Sequence, residues 1–372
     1  MKLALCIYHY FPFGGLQRDF LRIARTCLRR GHQVEVYTTA WEGEVDPGLS
    51  ITLIPASGLQ NHSRMKAFAR QLKKQVQNQG FDLIIGFNKM PGLDVYYAAD
   101  VCYQSRIKKQ RSFIYRLSPR YQQYICQERA VFATQHKTKI LALSAVQRDE
   151  YRRCYQTPSE RFYLLPPGIT RDRVAPINVN AAREEARQSL QLAADEKLLL
   201  MVGSGFKTKA LDRVMHGMAS LPLEVKNKTR LWIIGQDDAT PFLHLAKQLG
   251  IAERTEFLGG LHDVPRYFLA ADLLVHPAHH ENTGTVLLEA MVSGLPVLTV
   301  DVCGYAHYVQ DANAGVVLPS PFDQAEFNQS LLDMLISPQR SQWRKNGLDF
   351  AKSADIYSLP EKAVTILESM KA

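Results

Sequence analysis

Two strings in this sequence hold residue types that could bind an anion or a polyol. The longer is Glu281-Asn282-Thr283-Gly284-Thr285-Val286-Leu287-Leu288-Glu289-Ala290, followed by Gly294-Leu295-Pro296-Val297. It opens a helix, and free N–H groups from Thr283 to about Thr285 can hold hydroxyl or phosphate oxygens. Glu289, one to two turns in, can accept both hydrogens of a vicinal diol such as a ribose. As a bare pair, two carboxylates seven residues apart read as ordinary solvated charges; the whole string is far more specific. The shorter string, Gly14-Gly15, stands between a strand and a helix. Its amides and the helix N-terminus form an anion site, and the missing Cβ atoms admit a diphosphate, although a tight turn alone also needs such residues. Gly203-Ser204-Gly205 begins a dinucleotide fingerprint, but Thr208 stands where the third glycine belongs, and there is no Walker A sequence.

Two further constellations compete for attention. His276, His279, His280 and Glu281 could ligate a metal, but their order matches neither H-E-x-x-H nor a zinc finger. No D-x-D triplet occurs, so no metal is expected. The stretch from Tyr103 to Phe132 carries Arg106, Lys108, Lys109, Arg111, Arg116, Arg120 and Arg129 against Glu128 alone, a net +6, interleaved with Phe113, Ile114, Tyr115, Leu117, Tyr121, Tyr124 and Ile125. Basic residues with aromatics suit an anionic lipid surface, at roughly 1 kcal/mol per charge. The plainer reading is a solvated basic helix with its aromatics in the core. No nucleic-acid-binding signature accompanies it, so nucleic acid is not expected.

Strand and helix signals alternate along the chain. Strands are expected at Leu3–Tyr8, Val34–Tyr37, Phe81–Phe87, Ile140–Leu143 and Phe162–Leu165. In the second half they fall at Leu198–Val202, Arg230–Ile234, Glu256–Leu258, Leu273–His276, Pro296–Val300 and Gly315–Leu318. Helices are expected at Leu16–Arg30, ended by Gly31, and at Lys209–Ser220 and Thr285–Val292. This rhythm predicts an α/β chain of two Rossmann-like, doubly wound domains facing a central cleft, with ligands at the strand C-termini. Pro166-Pro167-Gly168 and the polar stretch to Asn180 read as the linker.

Composition agrees. The 372 residues, 46% hydrophobic and 22% charged, suffice for two ordinary cores and exclude disordered and collagen-like chains. No apolar run nears the ~18 residues that cross a bilayer, and Leu3–Tyr8 is too short for a signal peptide. Six scattered cysteines read as reduced thiols of a cytoplasmic protein. The net charge of +9 divides unevenly: residues 1–175 hold 27 Lys+Arg against 13 Asp+Glu, and residues 176–372 hold 18 against 23. Such a split suits an anionic partner on the first half; of nucleic acid, anionic lipid and a phosphorylated substrate, the missing nucleic-acid signature leaves the last two.

E-x7-E at this place, Gly-Gly after the first strand and two Rossmann-like domains resemble the retaining GT-B glycosyltransferases of family 4. Longer strings are similar to the lipopolysaccharide core glucosyltransferase I family: Tyr10-Phe11-Pro12-Phe13-Gly14-Gly15-Leu16-Gln17-Arg18-Asp19-Phe20, Gly86 to Tyr96, Leu165-Pro166-Pro167-Gly168-Ile169 and Cys303-Gly304-Tyr305-Ala306-His307-Tyr308. The resemblance covers essentially the whole chain. It implies transfer of glucose from UDP-glucose to a heptose of the lipopolysaccharide inner core, with retention. Residues 1–172 would be the acceptor domain, 173–354 the nucleotide-sugar domain, and 355–372 a helix returning to the first.

By the same resemblance, Glu281 would touch the sugar hydroxyls and Glu289 the ribose, among donor contacts from Asn282, Thr283, Gly284 and Thr285. Lys209 would neutralise the diphosphate, helped by Arg173 and the Gly14 and Gly15 amides. Asp19 and Asp100 would join Glu281 near the reacting sugar. One departure stands out: the family's arginine after the first strand of the second domain is Ser204 here, so Lys207 or Arg173 must supply the second cation. The basic segment matches a region that the family uses at membranes, which implies a peripheral enzyme on the cytoplasmic face of the inner membrane, in contact with anionic lipid. A galactose or N-acetylgalactosamine donor, a UDP-sugar epimerase and a non-catalytic membrane-binding protein remain as alternatives.

Overall fold

The structure, a computed structural model, describes residues 1–12, 14–110 and 113–371, with no side chain described for Lys109 or Gln110. Arg111 and the Lys109 side chain, both expected at the membrane surface, lie outside the described residues. The chain divides into two compact units, Met1–Gly168 with Ser358–Ala372, and Ile169–Tyr357.

Among the described residues, the first unit holds β1 (Lys2–Cys6), β2 (Gln33–Thr38), β3 (Ser50–Leu53), β4 (Leu83–Gly86), β5 (Val95–Ala98), β6 (Lys139–Ala142) and β7 (Phe162–Leu164). They form one sheet in the order β3-β2-β1-β4-β5-β6-β7, with every pairing parallel. Parallel strands are covered on both faces, and the period of two shows it. Leu3 and Leu5 join Phe20, Ile23 and Leu359 in one core, while Ala4 and Cys6 join Phe68, Tyr96 and Phe132 in the other. Helix Gly15–Arg29 buries Phe20, Ile23, Ala24 and Cys27, and Gly31 takes the left-handed φ of +80° that ends it. The last helix, Leu359–Ser369, packs on that helix, where Glu361 pairs with Arg29 at 2.7 Å and Glu368 with Arg30 at 2.8 Å.

The second unit holds β8 (Lys197–Val202), β9 (Thr229–Ile234), β10 (Thr255–Gly259), β11 (Leu273–His276), β12 (Val297–Val300) and β13 (Gly315–Leu318). Their order is β10-β9-β8-β11-β12-β13, again with every pairing parallel. Each sheet has a switch point where the winding reverses: β1 beside β4 in the first unit, β8 beside β11 in the second. Open α/β sheets bind ligands at the strand C-termini there. The loops after β8 and β11 carry Lys209 and Glu281.

Two strands, β3 and β5, have no counterpart among the expected ones. The edge strand β3 is only half-buried and β5 spans four residues, so neither makes a long apolar run.

Candidate functional site

The loop after β8 is tightly held. Gly203 and Gly205 adopt φ of +137° and +80°, and Gly235 packs so closely on Gly203 that a Cβ there would lie 2.5 Å from the Gly203 carbonyl. Buried Phe206 anchors the loop, and its amide donates to Asp237 at 2.7 Å. Ala210 takes an unusual left-handed φ of +58°, so the next helix begins at Leu211, and Lys209 stands on the preceding turn rather than in the helix. The Lys209 amide donates to the Gly205 carbonyl at 2.9 Å. Lys207 on the same loop is exposed, and the Ser204 hydroxyl accepts from the Gln236 amide at 3.0 Å.

After β11 the chain pairs Glu281 with Cys303 in a single parallel bridge, and the Tyr305 amide donates to the Thr283 carbonyl at 2.7 Å. Gly284, at φ +80°, leads into helix Thr285–Val292, whose first turn carries no acidic residue. Glu289 and Asn282 are buried in this segment. Arg173 lies at the far end of the helix: its carbonyl accepts from the Ser293 hydroxyl, which also donates to the Glu289 carbonyl, both at 2.9 Å.

These two loops bring Lys209 and Glu281 into direct contact, ammonium on carboxylate. The Asn282 amide donates to the other Glu281 oxygen at 3.2 Å. His276, the last residue of β11, is wholly buried with its Nε2 3.5 Å from the same carboxylate. Burial works against the Glu281 charge, but His276 and Lys209 together outweigh it and hold the carboxyl at about 2. Burial pushes the His276 imidazole below its usual range, so it is neutral at pH 7. His279 ties the two loops together, its amide donating to the Thr208 carbonyl at 3.0 Å. Among the described residues, no group of three or more His, Cys, Asp or Glu side chains could hold a metal.

Other expected residues belong to the first unit. Gly14 caps, and Gly15 begins, the helix after β1, where a Cβ on Gly15 would meet nothing within 4 Å. Asp19, one turn on, accepts from the Tyr97 hydroxyl at 2.8 Å, with Arg18 and Arg22 about its other oxygen at 3.9 and 4.0 Å. Asp100 follows β5 and is exposed, and its carbonyl accepts from Tyr151 at 3.0 Å.

The basic segment folds as helix Tyr103–Gln110, a 3-10 turn Ile114–Leu117 and helix Pro119–Phe132. Ser118 caps the second helix, accepting from the Tyr121 amide at 3.2 Å. Ile125, Val131 and Phe132 enter the core, whereas Phe113, Ile114 and Leu117 are 71%, 77% and 68% exposed. Lys108 and Arg120 are exposed as well, with Arg106 and Arg116 half-buried. Glu128, counted above against these cations, is fully buried and faces Lys89 instead. The outward charge of the segment is therefore wholly basic.

Two parallel-sheet α/β units are the architecture of the GT-B glycosyltransferases, and comparison with known proteins places the chain in that class. Residues 182–350 match the family model "Glycosyl transferases group 1" and residues 13–173 match "Glycosyltransferase Family 4". Lipopolysaccharide glucosyltransferase WaaG of Escherichia coli (strain K12) is 45% identical, over 99% of this chain and 98% of that protein. The crystal structure of WaaG, a glycosyltransferase involved in lipopolysaccharide biosynthesis, has a TM-score of 0.94 over 98% of this chain and 99% of that one. Anabaena HepE, solved with UDP-glucose, shares the fold at 16% identity, with a TM-score of 0.75 over 99% and 100% of the two chains. The chain belongs to the lipopolysaccharide core glucosyltransferase I family and is a hexosyltransferase of lipopolysaccharide core synthesis.

Proposed function

We propose that the protein transfers glucose from UDP-glucose to a heptose of the lipopolysaccharide inner core, with retention and without a metal. The observation that carries this reading is the Lys209–Glu281 contact at the β8/β11 switch point. In the donor complex, Lys209 moves to the diphosphate and Glu281 to the sugar hydroxyls. Glu289 holds the ribose, and the amides of Thr283, Gly284 and Thr285, the Asn282 side chain and the cations Lys207 and Arg173 complete the donor contacts. In the first unit, the Gly14 and Gly15 amides serve the diphosphate, and Asp19 and Asp100 serve the reacting sugars.

Glucose C1 separates from the diphosphate oxygen and bonds to the acceptor oxygen on the same face. The acceptor proton passes to the departing phosphate oxygen. Charge grows on UDP, so a fixed ammonium and helix amides are the groups that matter most. A covalent adduct on Asp19, Asp100 or Glu281 is the competing route, and a fluorinated donor that traps one would displace this mechanism.

We further propose reversible attachment to the cytoplasmic face of the inner membrane through Phe113, Ile114 and Leu117 and through Arg106, Lys108, Lys109, Arg111, Arg116 and Arg120. No helix among the described residues is long and apolar enough to cross a membrane. Exposed apolar tips within an outward-facing cationic segment support docking on anionic lipid. Vesicle binding should weaken as salt shortens the Debye length from ~10 Å at 0.1 M to ~3 Å at 1 M. Ile114→Ser with Arg120→Gln should release the protein while UDP binding persists; unchanged sedimentation with anionic vesicles would remove this part of the reading.

The deciding assay is a panel of UDP-sugars with and without purified truncated core lipopolysaccharide. UDP release from UDP-glucose only with a heptose-terminated acceptor is expected. A preference for UDP-galactose or UDP-N-acetylgalactosamine would replace the donor, and an altered sugar without acceptor would indicate an epimerase.

A further inference from the structure

One buried group beside Glu281 has no task in the scheme above. His276 is wholly excluded from solvent, yet neither ring nitrogen has a hydrogen-bond partner. Such an orphaned polar group is costly, and one in a native site calls for a reason. Its backbone is pinned: it lies opposite Thr299 in the β11–β12 register, and the Thr299 hydroxyl donates to its carbonyl at 2.9 Å. The residue's place beside Glu281 is therefore fixed. Its Nε2 stands 3.5 Å from Glu281, beyond a tight hydrogen bond while Lys209 occupies that carboxylate.

We infer that His276 is a positioning residue: its imidazole N–H takes over Glu281 when the donor diphosphate draws Lys209 away. The inference rests on the donor roles proposed for Lys209 and Glu281. The titratable groups facing Glu281 are Lys209 from the loop after β8, His276 from the end of β11 and Cys303 from the loop after β12. Burial pushes the Cys303 thiol up to about 12, so it contributes no charge at neutral pH. Once Lys209 has turned to the diphosphate, His276 and the Asn282 amide remain to hold the carboxylate ionised. Without His276, one amide alone faces the carboxylate, which takes up a proton more readily. A protonated carboxyl has lost part of its acceptor capacity for the sugar hydroxyls. A neutral imidazole suits this role, because a second cation would compete with Lys209 for Glu281 before the donor binds.

The test compares His276→Leu, which removes the N–H, with His276→Gln, whose amide can approach the Nε2 position. The informative quantity is the acidic limb of kcat, which reports the donor complex in which Lys209 has left; kcat/KM reports the free enzyme, where Lys209 is still in place. In His276→Leu the kcat limb should rise by about one pH unit or more, with a smaller shift in kcat/KM. UDP affinity should stay within about twofold, because Lys209 and Glu289 hold the nucleotide. His276→Gln should return the limb toward the parent. A folded His276→Leu enzyme with the parent limb, or a glutamine variant no closer to the parent than leucine, overturns the inference. If the leucine variant does not fold, His276→Asn, with an amide too short to reach Glu281, takes its place with the same expected shift. Glu281→Gln, run in parallel, separates the two ideas: parent-level transfer by that variant would refute the donor reading, whereas loss of transfer with an unmoved His276→Leu limb refutes only the role of His276.

Discussion

Among the described residues, two lysine–glutamate pairs lie largely out of solvent, a buried one in the first unit and a half-buried one in the second, and they differ in what surrounds them. In the first unit, Lys89 meets Glu128 at 2.6 Å, and Glu128 also accepts from the amides of Tyr103 and Gln104 at 2.9 Å and from Tyr155 at 2.7 Å. Lys89 also donates to the Val101 carbonyl at 3.1 Å and lies over the Tyr151 ring at 5.2 Å. Both partners are saturated and enclosed. In the second unit, Lys209 meets Glu281 beside an imidazole that stands 3.5 Å from the same carboxylate, on loops at the C-terminal ends of the switch-point strands. A pair satisfied from every side is a fastening; on the donor roles proposed above, a pair with a spare donor beside it is one that exchanges partners. The Lys89–Glu128 pair fastens the basic segment, because Glu128 lies in helix Pro119–Phe132 and holds the first amides of helix Tyr103–Gln110.

The sharpest way to break this contrast is to remove one glutamate at a time. Glu128→Ala strands a buried ammonium and should cost about 3–5 kcal/mol in urea unfolding, with much of it recovered in a Lys89→Met, Glu128→Leu double variant. Glu281→Gln should leave the unfolding midpoint close to the parent but lower kcat by ~10²-fold or more. If the stability losses are reversed between the two, the assignment of fastening and exchange is wrong.

A smaller effect separates the two acidic residues of the E-x7-E string. Glu289→Ala should weaken UDP itself by ~1.5–3 kcal/mol, as for a charge-assisted hydrogen bond, measured by calorimetry. Glu281→Ala should leave UDP affinity nearly unchanged. Equal losses would show the two roles to be misassigned.

Acid distinguishes the pairs further. Glu128 is held below its usual carboxyl range: burial opposes its charge, but Lys89 and the Gln104 and Tyr103 amides prevail. A depressed carboxyl stabilises the fold fully above its unfolded value of ~4.3, and that stability fades as pH falls toward the folded value. Stability of the parent should therefore drop below pH ~4.3, more gently in Glu128→Gln, by at most ~1.4 kcal/mol per pH unit for one proton. The smallest effect belongs to the exposed Arg29–Glu361 pair, with side chains 67% and 47% exposed; Glu361→Gln should cost under ~1 kcal/mol.

Legibility in the sequence follows this division. The strings around Gly14 and from Glu281 to Pro296 are local, so their residues and even the helix Thr285–Val292 can be read directly. β11 and β13, apolar runs between breakers, are equally plain. The fastening pair is not, because Lys89 and Glu128 lie 39 residues apart and each looks like an ordinary surface charge until the fold buries it. Ala210 gives no sign of its left-handed turn, which moves Lys209 out of the helix expected to start there. His276 is visible as one of a histidine cluster and so invites a metal reading; only the β11–β12 register shows that it is pinned beside Glu281.

The most direct test is a crystal structure of the enzyme with intact UDP-glucose. Lys209 is expected on the diphosphate oxygens, Glu281 on the glucose hydroxyls within hydrogen-bonding distance of His276 Nε2, and Lys89 still 2.6 Å from Glu128. A bound donor with Lys209 still on Glu281, and the sugar held by other residues, would contradict it.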